Sequence, residues 1–374
     1  MVILIRCNDI VTDPRAMKYV RFLQEKGIEH RLIGWDRDGV RPQLENAVFW
    51  ERKAGYNVGG MKAARHRFGW MLFVLQTLRQ FKADGLVLHG CDVDSAFPGA
   101  VFKLFHKNAK LIFDVFDWFS ATLYNQNSLI LFAFKFLERF TVKHSDTIII
   151  CEPERIEQIP YKIDSSMVTV LPNIPFFSDS SFVKEDSGKS FSNGLITISY
   201  VGGFCKERCL FEIVELAEKG VINLAIAGFG DKELEEKLDS LKGCPYIKYY
   251  GKVSYQDGLN ISYNSDVMYA MYSKVNPNHI YAAPNKFYEA MFLGKPLFTT
   301  KGTIVEKKVL ANKTGYVSEE GIGDIQDVLA TITKENISEF GQNAQKLWAD
   351  KFGTYTSDWL NKEYLKLMKS KLNQ

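Results

Sequence analysis

The chain has 374 residues, of which 46% are hydrophobic and 24% are charged, and its formal net charge at pH 7 is +3. This is the composition of an ordinary globular protein, and the length predicts two domains because it exceeds what one common-sized core uses. Basic and acidic residues are nearly balanced, so no nucleic acid is expected as the main partner.

The six cysteines are scattered along the chain, mostly inside apolar runs. Cys205 and Cys209 lie close together, but no second pair of cysteines or histidines completes a zinc site. We therefore expect buried free thiols in a reducing compartment. The sequence lacks the features of a signal peptide and any run long enough to span a membrane, which predicts a cytoplasmic protein.

Apolar runs typical of buried strands alternate with helical patterns through the first part of the chain. Asp13 and Pro14 are suited to begin a helix, and Met17, Val20 and Leu23 form its apolar face. This alternation predicts a parallel, doubly wound sheet. Strands are predicted at residues 2–7, 30–34, 86–89, 111–114 and 147–151, and further helices near residues 65–81, 96–105 and 129–144.

The alternation stops between Pro172 and Asn193, where prolines, serines and Gly188 predict a linker. It resumes with strands predicted at residues 196–201, 224–227, 247–250, 267–271 and 296–299 and helices at 210–219 and 232–241. The predicted fold class is therefore α/β, with two Rossmann-like doubly wound domains facing a cleft. Ligands of such sheets bind beyond the carboxyl ends of the strands, so the functional sites are expected in the loops there.

The loop after the strand predicted at residues 196–201 carries a pair of glycines and several charges. Gly202 and Gly203 allow a ligand to approach the backbone, and a helix is predicted to begin just after Arg208. Lys206 and Arg208 add positive charge to the free N–H groups of that helix N-terminus. The loop therefore predicts a diphosphate site, and a tight turn with exposed basic residues is the alternative.

A second loop leads into a helix predicted to start near Pro284 and to end at Gly294. Lys286 lies in its first turn, and Glu289 follows three residues later on the same face. We predict that Lys286 binds phosphate oxygens and that Glu289 accepts hydrogen bonds from ribose hydroxyls. The alternative is a surface ion pair worth less than about 1 kcal/mol.

The segment at residues 283–291 resembles the donor site of family-4 retaining glycosyltransferases, which have the GT-B fold. The glycine turn before Arg208 is similar to the phosphate loop of that family, and the resemblance continues in order over almost the whole chain. Loops at residues 227–231 and 249–253 resemble the next two strand-ending loops of the family. The resemblance implies that the nucleotide-sugar donor also contacts Gly228, Gly251, Lys252 and Asn285.

One position departs from the pattern of the family, which commonly has two glutamates eight positions apart in this region. Glu289 matches the second glutamate, whereas Tyr281 stands where the first is expected. Recognition of the donor sugar must therefore differ, with Asn278, Asn285 or backbone groups of the loop as the candidates.

The resemblance implies a mechanism and a division of the chain. The acceptor domain would comprise residues 1–174 with a C-terminal helix at about 355–374, and the donor domain would comprise residues 175–354. In the implied reaction the departing phosphate takes the proton of the acceptor, and the sugar keeps its anomeric configuration. Arg208 and Lys286 would stabilise the leaving diphosphate, so neither a metal nor a cofactor is expected.

Polar side chains also follow three of the strands predicted in the first domain, and they should meet at one edge of its sheet. The candidates are Asn8, Arg15, His89 and Asp92 on the acceptor side and Asp117 in catalysis. Helix capping is the favoured role for Asp13 and Asp94. The alternative to a functional role for Arg15 is a solvated helix residue. His89 is either a core histidine or a proton carrier. Phe116 stands where resembling proteins often have a histidine, so no general base is evident.

Two of the predicted helices, which open at Arg65 and Leu129, combine basic residues with large apolar ones. Such helices suit an anionic membrane surface, although core-facing helices with charged ends are the favoured alternative. Together with the resemblance, they suggest a glycan acceptor on a polyprenyl diphosphate carrier, at the inner face of the plasma membrane, in the assembly of a surface polysaccharide.

Two other functions stay open at this point. The first is a nucleotide-sugar epimerase of the same two-domain shape. The second is a non-catalytic sugar-nucleotide binder that partners another transferase, which Tyr281 and Phe116 would favour. A dinucleotide dehydrogenase is not expected, because no G-x-G-x-x-G follows the first strand.

Overall fold

The computed structural model describes residues 1–369, apart from residues 9, 11–12, 38, 40–43, 45, 55–59, 83, 124–127 and 176–190. The chain divides into two compact units: unit 1 is Met1–Pro172 with Thr356–Gln374, and unit 2 is Asn173–Tyr355. The predicted boundaries were 174/175 and 354/355. Most of the predicted linker, and residues 370–374 of the predicted C-terminal helix, lie outside the described residues.

Unit 1 contains a parallel sheet with seven strands among the described residues, in the order β3-β2-β1-β4-β5-β6-β7. The strands are β1 (Val2–Arg6), β2 (His30–Asp36), β3 (Ala47–Glu51), β4 (Val87–Cys91), β5 (Lys110–Val115), β6 (Thr147–Ile150) and β7 (Val168–Val170). Strands β4 and β5 are buried along their whole length, as expected in the middle of a parallel sheet. The register pairs Arg6 with Cys91 and Cys91 with Asp114, so β1, β4 and β5 end at one edge.

Five α-helices lie among these strands in the described part of residues 1–172. They are α1 (Pro14–Glu25), α2 (Gly60–Leu78), α3 (Val93–Phe105), α4 (Phe119–Thr122) and α5 (Ser128–His144). Helix α1 begins as predicted, because the Asp13 carboxylate accepts hydrogen bonds from the backbone N–H groups of Arg15 and Ala16 at 3.0 and 3.2 Å. Helix α2 begins before the predicted start at Arg65. None of the described helices combines the length and apolarity needed to cross a bilayer.

Unit 2 contains a second parallel sheet, with six strands among the described residues in the order β10-β9-β8-β11-β12-β13. The strands are β8 (Thr197–Val201), β9 (Asn223–Ala227), β10 (Ile247–Tyr249), β11 (Val267–Ala270), β12 (Leu297–Thr300) and β13 (Gly315–Ser318). The helices are α6 (Leu210–Glu218), α7 (Lys232–Ser240), α8 (Tyr255–Tyr263), α9 (Asn285–Leu293), α10 (Ile304–Asn312), α11 (Ile322–Ala330) and α12 (Lys334–Leu347). Two α/β units with parallel sheets confirm the predicted fold class.

The chain returns to unit 1 after Tyr355. Helix α13 (Tyr355–Trp359), a π-helical turn at Leu360–Tyr364 and helix α14 (Leu365–Lys369) form this segment. Tyr364 is completely buried, and Lys110 Nζ donates a hydrogen bond to the Leu367 carbonyl at 3.1 Å. The segment therefore contributes to the core of unit 1.

Strands β3, β7 and β13 were not predicted, and each of them lies at the edge of a sheet. Strand β3 is partly exposed, and β7 has no fully buried residue. An edge strand is covered less completely than a central one, so its sequence carries a weaker apolar pattern.

Candidate active site

Three glycine-containing loops lie side by side at the carboxyl ends of β8, β9 and β10. The Gly202 N–H donates to the Ala227 carbonyl at 3.0 Å, and the Gly228 N–H donates to the Gly251 carbonyl at 2.8 Å. A Cβ atom on Gly228 would lie 1.8 Å from the Gly202 carbonyl oxygen. The φ of Gly228, +146°, is also one that other residues rarely adopt. Glycine is therefore required there, and the loops form one continuous surface.

Lys286 extends from the first turn of α9 over the first of these loops. A Cβ atom on Gly202 would lie 2.8 Å from Lys286 Nζ, and that nitrogen lies 5.1 Å from the centre of the Tyr200 ring. Burial lowers the pKa of the Lys286 ammonium, and the Glu289 carboxylate opposes this shift. The structure thus brings together Gly202 and Lys286, which the sequence predicted to share a site.

Arg208 supplies a second cation at the same edge. It ends a 3-10 turn, Lys206–Arg208, directly before α6, and its guanidinium carbon lies 4.2 Å from the centre of the Tyr272 ring. Its Nη1 is buried and has no hydrogen-bond partner. A buried donor without a partner costs about 1–3 kcal/mol, so an anionic ligand there would satisfy a group that the fold leaves unpaired. Burial is the main cause that lowers the pKa of Lys286, and Glu289 opposes it. Arg208 lowers this pKa further, which indicates that the two cations interact.

Glu289 lies one turn after Lys286, as predicted. Tyr255 Oη donates a hydrogen bond to Glu289 Oε1 at 3.0 Å. Burial raises the pKa of Glu289, and Lys286 opposes that shift. Tyr255 and Tyr272 were not predicted as members of this site, because both approach it from other elements of the fold.

The remaining donor-side candidates are more exposed. Lys206 is exposed and forms an ion pair with Glu233 at 3.2 Å. Gly203 has open space where a side chain would be, and Lys252 Nζ lies 5.1 Å from the centre of the exposed Phe229 ring. Asn285 is the first residue of α9 and is half-buried. Gly203, Lys206 and Lys252 are thus exposed, whereas Asn285 is half-buried, as Lys286 and Arg208 are.

The loop before α9 contains the position where the resembling family has a glutamate. Tyr281 ends a 3-10 turn, Pro277–Tyr281, and is half-buried. Asn278 and His279 in the same turn are buried, and His279 Nδ1 lies 2.9 Å from the Ser273 carbonyl oxygen. Asn278, one of the predicted sugar-binding candidates, thus lies in the interior of the loop.

In unit 1, the acceptor-side candidates Arg15 and His89 belong to a buried polar network around Asp114. Arg15 Nη2 and Tyr19 Oη donate to the Asp114 carboxylate at 2.6 and 2.7 Å. His89 Nε2 lies 3.4 Å from the same carboxylate, and His89 Nδ1 lies 2.7 Å from Tyr364 Oη. The solvated role for Arg15 is therefore wrong, since its charge is balanced inside the core, and the structure favours a core role for His89.

The charge state of Asp114 explains why this network is stable. Burial would raise the pKa of its carboxyl, but the Arg15 guanidinium and His89 hold that pKa below its usual range. The side chains of His89, Cys91 and Asp114 offer ligand atoms within 4.8 Å of one another, in a spacing that a metal ion could use. In the structure, Arg15 and Tyr19 already donate hydrogen bonds to this carboxylate.

Asp92, Asp117 and Asn8 lie closer to the surface of the same edge. Asp92 pairs with Arg6, and its Oδ1 accepts hydrogen bonds from the backbone N–H groups of Phe116 and Asp117 at 3.0 and 3.3 Å. Burial raises the pKa of Asp92 to about 6, although Arg6 opposes the shift. Asp117 is more exposed and accepts from Arg155 at 3.2 Å, and the buried Oδ1 of Asn8 has no hydrogen-bond partner.

The capping role expected for Asp94 is wrong. Helix α3 begins at Val93, so Asp94 lies inside its first turn, where the buried carboxylate pairs with Arg67 of α2. The cap position belongs to Asp92, whose side chain makes no capping hydrogen bond because it is used by the β5 loop. Phe116, where resembling proteins often have a histidine, lies 4.3 Å from the Arg6 guanidinium and 4.9 Å from that of Arg15.

Solved structures of several glycosyltransferases have the same fold, whereas no protein-family model and no curated protein sequence matches the chain. A sucrose-phosphate synthase from Thermosynechococcus elongatus matches with a TM-score of 0.76 and 13% identity, over 98% of each chain. An α,α-trehalose-phosphate synthase (UDP-forming) from Burkholderia xenovorans, in complex with glucose-6-phosphate, matches with a TM-score of 0.70 and 11% identity, over 98% of this chain and 99% of the other. WaaG, a glycosyltransferase involved in lipopolysaccharide biosynthesis, matches with a TM-score of 0.67 and 12% identity, over 99% of this chain and all of the other. The chain therefore has the fold of the GT-B glycosyltransferases.

Proposed function

We propose that the protein is a retaining glycosyltransferase, which moves a hexosyl group from a nucleoside-diphosphate sugar to a hydroxyl of a glycan acceptor. The observation that carries the proposal is the pair of cations at the glycine loops of unit 2. Lys286 lies over Gly202, and Arg208 leaves a buried N–H group unpaired at the same edge. Both suit a diphosphate that carries negative charge and approaches the backbone closely.

The proposed reaction requires no metal, because fixed cations would stabilise the leaving group. The bond between the anomeric carbon and the β-phosphate oxygen breaks, and the acceptor oxygen forms its bond to that carbon on the same face. The acceptor proton passes to the departing phosphate. Negative charge grows on the diphosphate as the bond breaks, so Arg208 and Lys286 would interact with the transition state more strongly than with the bound donor.

Glu289 has a different role in the proposal. Its carboxylate would accept hydrogen bonds from the ribose hydroxyls, and Tyr255 fixes its orientation through the 3.0 Å hydrogen bond. Burial raises the pKa of Glu289, and hydrogen bonds donated by the ribose hydroxyls would oppose that shift by stabilising the ionised carboxylate. Gly203, Lys206, Gly228, Gly251, Lys252 and Asn285 would complete the donor site.

On the acceptor side we propose a glycan carried by a polyprenyl diphosphate, handled at the cytoplasmic face of the plasma membrane. WaaG, which shares the fold, is involved in lipopolysaccharide biosynthesis, and this supports a lipid-linked glycan as the acceptor. Asp92, Asp117 and Asn8 would contact the acceptor, because they lie near the surface of the sheet edge in unit 1. Arg15 and His89 would act from the interior by holding that edge in place.

The experiment measures the release of nucleoside diphosphate from a panel of nucleotide sugars, with and without glycan acceptors. A transferase should release the diphosphate slowly alone and faster with acceptor. Isomerised donor without any acceptor would instead identify an epimerase. Binding of the nucleotide with no release under any condition would identify a non-catalytic partner of another transferase.

A further inference from the structure

Three adjacent helices of unit 1 leave large apolar side chains exposed. Helix α3 packs against both α2 and α5, and the three together form what we call the α2–α3–α5 face. The exposed residues are Phe68 and Leu72 on α2, Leu104 and Phe105 on α3, and Leu129, Phe132 and Phe136 on α5. Exposed apolar side chains that recur on three helices packed side by side indicate a binding face rather than scattered exposure.

The charges on these helices are distributed unevenly. Among their described side chains the acidic ones are Asp94 and Glu138, and both are only 1% exposed. Asp94 pairs with Arg67, and Glu138 accepts a hydrogen bond from the Ser120 N–H at 2.8 Å. The basic residues Lys62, Arg65, Lys135, Arg139 and Lys143 are all exposed. The face therefore presents apolar and positive groups together, which complements anionic lipid.

An apolar groove of about 190 Å³ lies between α2 and α3. Its lining is entirely apolar and includes Phe68, Leu72 and Leu75 of α2 and Phe97 and Val101 of α3. Pockets for whole small molecules have volumes of roughly 300–1,000 Å³, so this groove fits a segment of a hydrocarbon chain.

The groove begins close to the candidate acceptor edge. Phe97 follows Asp94 by one helical turn, and Phe68 directly follows Arg67, so the Arg67–Asp94 pair lies at the end of the groove nearest the strand ends. Asp92 immediately precedes α3. A molecule with a polar group at the sheet edge and a hydrocarbon tail along α3 would match both surfaces.

We propose that the groove between α2 and α3 binds the polyprenyl chain of the lipid-linked acceptor, while the basic residues of the α2–α3–α5 face contact anionic lipid headgroups. The identity of the chain as part of the acceptor rests on the proposed function. A second copy of this protein is a poorer occupant, because two such faces would bring exposed basic residues together.

The test is co-sedimentation of the full chain with phosphatidylcholine vesicles that contain polyprenyl phosphate, phosphatidylglycerol at equal charge, or neither. The informative variant is Leu72→Asp, since Leu72 is 62% exposed and its replacement should leave the fold intact. Its matched control is Leu310→Asp, on α10 of unit 2, where the leucine is 57% exposed. Thermal unfolding of each variant checks that the fold is unchanged.

We expect the wild-type chain to bind polyprenyl phosphate vesicles at least about tenfold more tightly than phosphatidylglycerol vesicles, and Leu72→Asp to lose that difference while Leu310→Asp keeps it. Equal binding to both anionic vesicles, or no binding to either, would overturn the proposal. A transfer assay with a water-soluble glycan separates the two ideas. Transfer without selective vesicle binding leaves the proposed function standing alone, whereas selective binding without transfer to any acceptor leaves the groove assignment standing alone.

Discussion

Replacing Lys286 by methionine tests the diphosphate site most directly. Methionine keeps an unbranched stem over Tyr200 and Gly202 but removes the ammonium group that lies there. A unit charge about 4 Å from a phosphate oxygen interacts by about 4 kcal/mol at the effective dielectric typical of protein surfaces. Loss of one preorganised group of this kind typically lowers the rate by about 10²–10³-fold, or about 2.7–4 kcal/mol, and we expect kcat/KM of Lys286→Met to fall by that factor.

The folded state should not suffer from the same replacement. Burial lowers the pKa of Lys286, which means that the charged ammonium destabilises the folded state when no ligand is bound. We therefore expect the melting temperature of Lys286→Met without ligand to equal or exceed that of the wild type. Nucleoside diphosphate should raise the melting temperature of the wild type more than that of the variant, because stabilisation follows the affinity of the ligand for the folded state.

The assay is the rate of nucleoside diphosphate release at saturating and limiting donor, paired with thermal unfolding. Lys308→Met is the matched control. Lys308 lies on α10, and its Nζ also lies over aromatic rings of α9, 5.3 Å from the ring centres of Phe287 and Tyr288. Its kcat/KM should remain close to that of the wild type. If Lys286→Met and Arg208→Ala both keep near-normal turnover, the phosphate assignment is wrong.

Three further predictions concern stability, each measured by urea unfolding. Gly228→Ala should lower the free energy of unfolding by at least about 3 kcal/mol, because the new Cβ would lie 1.8 Å from the Gly202 carbonyl oxygen at a strained φ. A change within experimental error would contradict the loop geometry. Asp114→Asn should lose about 3–5 kcal/mol at pH 7 by leaving Arg15 buried without its counter-charge. Arg15 lowers the pKa of Asp114 in the folded state. The difference in unfolding free energy between wild type and Asp114→Asn should therefore be complete above about pH 4, where the unfolded carboxyl is ionised, and should shrink as the pH falls through the folded pKa. A constant difference at all pH values would refute this. Tyr364→Phe should cost about 1–3 kcal/mol by leaving His89 Nδ1 unpaired in the core, and no loss would show that the C-terminal segment does not stabilise unit 1 through this contact.

The central strands and the donor loops were predictable because their signals are local. Strands β1 and β4 are short apolar runs next to helical patterns, and a central parallel strand must be apolar on both faces. Gly202, Lys286 and Glu289 were predicted because a glycine turn and the first turn of a helix can both be read within a few residues. The structure then shows that Gly202 and Lys286 meet, although 84 positions separate them in the sequence.

The long-range contacts that hold the candidate site residues in place were not predictable in this way. Arg15 has the sequence setting of a solvated helix residue, and its buried role depends on Asp114, which is 99 residues away. Tyr364 reaches His89 across 275 residues. Tyr255 and Tyr272 likewise enter the donor site from α8 and from the end of β11, where strand order and not sequence spacing determines what they contact.

The proposed donor site would separate into a part that binds the nucleotide and a part that recognises the sugar. In the proposed assignment, Arg208, Lys286 and Glu289 would supply the charges that the nucleotide requires, at the positions that the resemblance implies. Tyr281 cannot accept hydrogen bonds from sugar hydroxyls as a carboxylate does, and Asn278 is buried. Asn278, Asn285 and backbone groups of the loop stay the candidates predicted from the sequence. Sites built on neutral amide groups can still discriminate between sugars strongly, because a donor that fails to pair with them leaves buried polar groups unsatisfied.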